Sequence, residues 1–281
     1  SMKLIESKVE VIEQQPGLEG VYKQIELAGR TCYKSEDKIT EDSAKEFVDR
    51  MIKSKHGAML EHGTVYLSVP KEETEIIGFH GWCRYSKVRS DLVMEEPCNW
   101  LITTNMRVLV EHDRLRDLKY ICEPTERHEK RITARFTCDR GVSHEIVRHR
   151  VMSFAQESTR YCNYGKDKFD NELTFIHPSW SLAKMHEEDH RGDRFMDTLY
   201  EIEKQYLYLI ENGWLPQQAR QILPNALKTE IVVTGFESDW EHFFSLRSPK
   251  YGAQGVHPDM AKLADELYEK LNNVNTDNKT E

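Results

Sequence analysis

The chain predicts an α+β fold in one domain, and three observations support that expectation. Stretches with apolar residues at helical spacing are interleaved with short runs of strand character, and neither type dominates. No internal repeat and no clean linker divides the 281 residues, a length that allows one large domain with a sizeable core. Composition is 38% apolar and 31% charged, which sets the chain apart from disordered sequences.

Residues 31–42 read as a polar connection. Ser43 with Glu46 makes a capping-box pattern, and the helix after it carries Ala44, Phe47, Val48, Met51 and Ile52 on one face. Gly57 is placed to stop that helix. TVYLSV (64–69), residues 100–110 and residues 132–138 read as strands, the last with Ile132, Ala134, Phe136 and Cys138 alternating. A helix is expected from Val142 towards Met152. Phe195, Leu199, Ile202, Tyr206 and Leu209 mark a long amphipathic helix that Asn212-Gly213 ends. Pro216 suits the first turn of another helix, which Pro224 closes. EIVVTGF is strand-like, Asp239 is placed to cap a short helix through Phe244, and Met260, Leu263, Ala264, Leu267 and Leu271 make the last helix. The domain is expected to span 1–272, with 273–281 a flexible tail.

The formal net charge is −9, which argues against a broad nucleic-acid-binding face while leaving room for a local anion pocket. No apolar run reaches the roughly 20 residues of a membrane span, and the N-terminus lacks a signal peptide's apolar core. Six cysteines are scattered without a C-x-x-C pair, the pattern of reduced, packed thiols. These features set the expectation of a cytoplasmic protein with neither a membrane nor a nucleic-acid partner.

Against this acidic background RHRVMSFAQESTRY (148–161) stands out. The upstream HEIVRH suggests a zinc site, but on a helix His144 and His149 at i, i+5 lie about 140° apart, whereas i, i+4 ligands lie about 40° apart. No metal is expected. No G-x-G-x-x-G or P-loop occurs either. A run of cations is commonly a solvated face. Here Ser153, Gln156, Ser158 and Tyr161 are interleaved with Arg148, Arg150 and Arg160, the mixture that fixes a polar heterocycle and its phosphate.

The stretch resembles the signature of the flavin-dependent thymidylate synthases: Arg148-His149-Arg150, seven residues, Ser158, then Arg160-Tyr161. AGRTCY (28–33), HGAMLEHGTVY (56–66), ARQILP (219–224) and FFSLR (243–247) resemble further segments of that family in the expected order. The chain departs at Ala155, often Asn in the family, and at Gln156, often Glu. A flavin-contacting Asn falls at His242, and a nucleotide-holding Gln falls at Glu145. About sixty extra residues, roughly 70–131, read as an insertion that extends the sheet.

The resemblance implies a mainly antiparallel sheet flanked by helices, and reductive methylation of dUMP to dTMP. Methylenetetrahydrofolate would supply the carbon, FAD would carry hydride, and NADPH would be the reductant. It also implies a homotetramer. Arg247 is the implied catalytic cation, with a solvated helix-end Arg as its bland alternative. Gln156, Ser158, Arg160, Arg220 and Arg247 are implied for the nucleotide. Ser158 is also a candidate at the reacting centre, better assigned to binding than to attack. His62, Arg148, His149, Arg150 and His242 are implied flavin contacts, with Arg148 shared with the nucleotide. Cys162 reads as a packed thiol. Two other readings stay open: a relative acting on another pyrimidine nucleotide, and a nucleotide-binding protein of this fold without flavin chemistry.

Overall fold

The computed structural model describes residues 2–93, 96–182 and 188–277. Two short strands, β1 (Lys3–Ile5) and β2 (Lys8–Val11), precede helix α1 (Gly17–Tyr33). α2 (Ser43–Lys53) and the single turn α3 (Gly57–Leu60) lead into β3 (Thr64–Pro70). Within the inserted stretch come α4 (Thr74–Trp82), β4 (Lys87–Val93), β5 (Glu96–Asn105) and α5 (Met106–Glu111). Then follow β6 (Arg131–Asp139), α6 (Arg140–Ile146), β7 (Ser153–Gln156) and β8 (Thr174–Ile176). The chain continues through α7 (Arg191–Glu211), α8 (Pro216–Ala219), β9 (Lys228–Phe236), α9 (Glu237–Arg247) and α10 (Pro258–Asp277).

The expected α+β class holds. Four strands form an antiparallel sheet in the order β2-β6-β9-β7, and β3-β5-β4 form a second antiparallel sheet. β1 and β8 make a short parallel pair. The inserted strand β5 pairs with β3 and β4 pairs with β5, so the insertion does not extend the four-stranded sheet as expected but supplies two strands of a separate one.

The run EIVVTGF has no polar alternation because both faces of β9 are covered. Ile231 and Val233 point into a core with Phe136, Trp240, Phe243, Met260, Leu263 and Leu267, which α9 and α10 close. Val232 points the other way, with Ala155, towards Val21, Ile25, Phe47, Leu60 and Ile102. The two-residue period of a strand thus divides one apolar run between two cores. A third cluster packs Tyr164, Phe175 and Leu227 against Leu199 and Tyr206 of α7. α1 and α2 cross closely at Gly29, where an added Cβ would lie 2.3 Å from the Phe47 ring.

Several boundaries differ from the sequence expectation. α1, unread in the sequence, extends through Tyr33 into the supposed connection. The Ser43–Glu46 capping box does not form; the Ser43 hydroxyl instead accepts from the Thr40 N–H and donates to Glu26. Gly57 opens α3, since α2 has already ended at Lys53. Residues 100–110 are not one strand: Asn105 Oδ1 accepts from Val108 N at 3.2 Å and caps α5, so the chain changes period there. Asp239 sits inside α9 and accepts from the Phe236 N–H at 2.9 Å. The helix expected to reach Met152 ends at Ile146. α10 runs through Asp277, past the boundary expected at 272, and the rest of the expected tail lies outside the described residues. No helix among the described residues is long and apolar enough to cross a membrane. Cys32, Cys83, Cys122, Cys138 and Cys162 are free thiols, and the Cys98 side chain lies outside the description.

Candidate active site

Asp139 begins the arrangement. Its Oδ1 accepts from Val142 N at 2.7 Å and fixes the first turn of α6. The helix stops after two turns, and residues 147–152 turn back into β7. In that turn His149 faces inward at 7% exposure against Phe243, ring centroids 4.9 Å apart, while Arg148 and Arg150 stay exposed. The spacing argument against a zinc pair assumed a helix through His149, which the turn replaces. Among the described residues no group of three or more His, Cys, Asp or Glu side chains is placed to hold a metal.

Arg247, the last residue of α9, returns to this turn. Its Nε donates to His149 Nε2 at 3.2 Å, Nη1 pairs with Glu145 at 2.9 Å, and Nη2 meets the Glu145 carbonyl at 3.3 Å. Accepting at Nε2 assigns the proton of the neutral ring to Nδ1. Burial, then Arg247 and His242, push the His149 pKa down to about 4. Arg247 is therefore not a solvated helix end; its side chain is 21% exposed and bonded on two sides. His242, one turn earlier, is exposed with its ring 6.3 Å from that of His149.

The second half of the motif is held by β9 and α1. Gln156 Nε2 donates to Ser143 Oγ at 2.9 Å and Thr229 Oγ1 at 3.2 Å. The Ser158 N–H donates to the Cys32 carbonyl at 2.9 Å, and its Oγ accepts from Arg160 N. Between them Glu157 is 2% exposed, bonded by Tyr164 OH at 2.9 Å and Lys228 Nζ at 2.8 Å. Lys228 also reaches Glu230, which pairs with Lys34. Ser158 thus rides on a buried ion-pair network that the sequence reading missed, because its members are scattered from residue 34 to 230. Ala155 is core, 1% exposed beside Val232. Burial pushes the Cys162 thiol up to about 12, which suits a packed thiol.

Arg160 is exposed, lies over the Tyr161 ring at 5.2 Å, and points Nε at Gln217 Oε1, 3.4 Å away. That contact brings it to α8, and Arg220, also exposed, begins the 3₁₀ turn that follows.

Arg150 lies apart from this group, in a cleft of about 770 Å³. Ser153, Gly235 and Phe236 line it with Arg131 from β6, and Arg84, Tyr85, Lys87, Arg107, Val108 and Glu111 of the insertion form another wall. Arg131 Nη1 donates to the Glu61 carbonyl at 2.8 Å and Thr64 Oγ1 at 3.1 Å, and burial pushes its pKa down to about 10, still cationic at neutral pH. His62 is fully buried, so this structure does not bring it to the cleft surface. Its Nδ1 meets Thr234 Oγ1 at 2.8 Å, and its Nε2 is a buried polar atom without a hydrogen bond.

Burial first, then Arg131, push the His62 pKa down to about 3. Unfolded histidine titrates near 6.5, so between about pH 6.5 and 3 the unfolded chain binds protons that the folded one refuses. Stability is full above pH 6.5 and falls as pH drops through that window. Urea midpoints at pH 7.5 and 5.0 should show the acid loss, and His62→Gln should make the two values more alike. A midpoint unchanged at pH 5.0 would show that His62 and His149 are protonated at no cost.

Comparison with known proteins agrees with the motif's resemblance. The family described as "Thymidylate synthase complementing protein" matches residues 126–275, more than half of the chain and all of the motif. Curated proteins named flavin-dependent thymidylate synthase share 32% identity over 108 residues in Geobacter sulfurreducens and 36% over 110 residues in Pyrococcus furiosus. A Sulfolobus acidocaldarius protein of the same name shares 33% over 129 residues. These matches cover 38%, 39% and 46% of this chain, and 43%, 43% and 45% of the relatives, so under half of each relative's length is spanned. Among solved structures, a UMP/dUMP methylase, PolB from Streptomyces cacaoi, aligns over 96% of this chain and 91% of that one, at a TM-score of 0.45 and 16% identity. With the family match spanning more than half its length, the chain belongs to the thymidylate synthase complementing proteins, the family of flavin-dependent thymidylate synthases.

Proposed function

We propose that the protein methylates dUMP reductively to dTMP, with methylenetetrahydrofolate as carbon donor, FAD as hydride carrier and NADPH as reductant. The observation that carries this reading is Arg247, fixed by Glu145 and His149 beside a motif that presents Arg148 and Arg150 to solvent. Uracil C5 is a weak nucleophile, and activating the ring builds negative charge on its carbonyl and N3 edge. A guanidinium already held in place stabilises that charge without reorganising and without giving up a proton. Glu145 occupies Nη1, so the pyrimidine edge has to share or displace that carboxylate. Ser158, Arg160 and Arg220 act as donors for the phosphate, with Gln156 towards the base.

FAD, when bound, supplies the hydride chemistry, which no side chain in the site performs. The residues present fit such a group. The cleft beside Arg150 has a volume within the roughly 300–1,000 Å³ range of ligand sites, and cationic and aromatic side chains line it. His149, held neutral and accepting from Arg247, orients that cation. Arg148 on the turn and His242 on α9 are both exposed to solvent and are read as cofactor contacts. Residues 1–272 are read as one functional unit. A homotetramer in the cytoplasm is proposed with this reading, since the exposed arginines leave their sites open to solvent within one chain; light scattering of the active protein tests it.

Purified protein should carry flavin absorbance in the visible and form dTMP from dUMP, methylenetetrahydrofolate and NADPH under anaerobic conditions. Flavin-bound protein that forms no dTMP with all substrates present would overturn the activity.

A further inference from the structure

Residues 70–125 of the insertion lie outside the matched residues 126–275, yet the insertion builds one wall of the Arg150 cleft. A buried polar chain fixes that wall. Asp117, fully buried, is gripped by Arg114 and meets His80 Nε2 at 3.1 Å. His80 Nδ1 meets Ser86 Oγ at 2.9 Å, and Ser86 Oγ donates to Thr104 Oγ1 at 2.9 Å. With Ser86 turned inward, its neighbours Tyr85 and Lys87 are turned to the cleft, which Arg84 also lines.

Five cations and three carboxylates line this cleft. Arg107 pairs with both Glu61 and Glu111, and Asp239, which accepts from the Phe236 N–H, acts electrostatically on Arg131. Among the described residues, Arg84, Lys87, Arg131 and Arg150 have no carboxylate within ion-pair distance. Lys87 reaches only Ser238 Oγ, at 3.1 Å, and the Phe236 ring, at 4.9 Å. Five cations against three carboxylates leave an excess of two positive charges around one concavity, a field that lowers the free energy of any polyanion that enters. This is conspicuous in a chain of net charge −9.

We infer that the insertion makes this cleft a binding site for the pyrophosphate of a dinucleotide. Arg84 and Lys87 from the insertion close on the phosphates opposite Arg131 and Arg150, and Tyr85 lies against a planar ring. The inference rests on the reading of Arg150 as a cofactor contact and extends it to residues that reading does not include. FAD and NADPH share the pyrophosphate, so both are tested.

The test compares wild type with the Arg84→Gln/Lys87→Gln double variant by calorimetry, using FAD, riboflavin, NADPH and inorganic pyrophosphate at low and high salt. Dinucleotide or pyrophosphate affinity should fall about tenfold or more in the variant, with a shallower salt dependence and an unchanged melting temperature. Riboflavin, without phosphates, should bind both proteins equally. A loss confined to FAD or to NADPH identifies the occupant, and either supports the site. Pyrophosphate binding that depends on Arg84 and Lys87 without any flavin binding would keep the site and remove the flavin reading. Equal affinities in both proteins for every phosphate-bearing probe, or no binding of any of them to wild type, would overturn the inference.

Discussion

Arg247→Ala is expected to lower kcat by about 10²- to 10³-fold, the usual loss when one preorganised donor to a developing oxyanion is removed. KM for dUMP should change much less, because the interaction proposed for Arg247 strengthens only as charge develops on the pyrimidine. The variant should fold, since the lost ion pair with Glu145 keeps access to solvent on both sides, 21% and 32% exposed, and is worth about 1 kcal/mol. The imidazole gives a second readout. Arg247 is the second cause, after burial, holding the His149 pKa at about 4, so the value should rise in the variant, as an NMR titration would show. Arg247→Lys keeps the charge but loses the planar fork that meets two partners, so partial recovery of turnover is expected. Wild-type turnover in the alanine variant would remove Arg247 from the chemistry, whatever happens to His149.

Asp117→Ala should produce the largest structural effect in the insertion. The carboxylate is fully buried, and its removal leaves Arg114, 5% exposed, with one solvent-facing partner, Glu75, and leaves His80 Nε2 without its acceptor. Breaking a buried pair in this way costs about 3–5 kcal/mol. The loss should be local, because β4 and β5 pair only with each other and with β3. Hydrogen exchange should quicken across residues 74–105 while β6 and β9 keep their protection. If β6 and β9 lost protection to the same extent, the insertion would be part of the global folding unit.

What could be read from the sequence follows from the range of the forces involved. β3, β6 and β9 were legible because apolar content or alternation over seven to nine residues reports burial directly. α4 was not, since Gly78 and Gly81 interrupt its apolar residues and only Ile76 and His80 are buried. The strand expected through Val110 failed at Asn105, whose side chain can either continue a strand or cap a helix. Only the tertiary setting of Met106 and Leu109, both in the second core, decides that. The arginines of the site were legible as residue types at motif spacing. The partner of Arg247 was not, because Glu145 lies 102 positions away. Nor could the burial of His62 be inferred from a residue between Glu61 and Gly63 at a strand entry. The cationic cleft was illegible for the same reason: Arg84 and Arg150 have no sequence relation to each other.

β9 touches both halves of the proposed site. Thr229 at one end holds Gln156, Thr234 near the other holds His62, and Gly235 and Phe236 line the dinucleotide cleft. Five residues of extended chain measure about 17 Å, and β6 and β7 clamp this strand on either side. It therefore acts as a ruler that sets the gap between the nucleotide handle and the cofactor seat. An extra residue within it would shift every downstream contact and swap its two faces. The sixty-residue insertion could be accommodated because it attaches to β3, where added length leaves that gap unchanged.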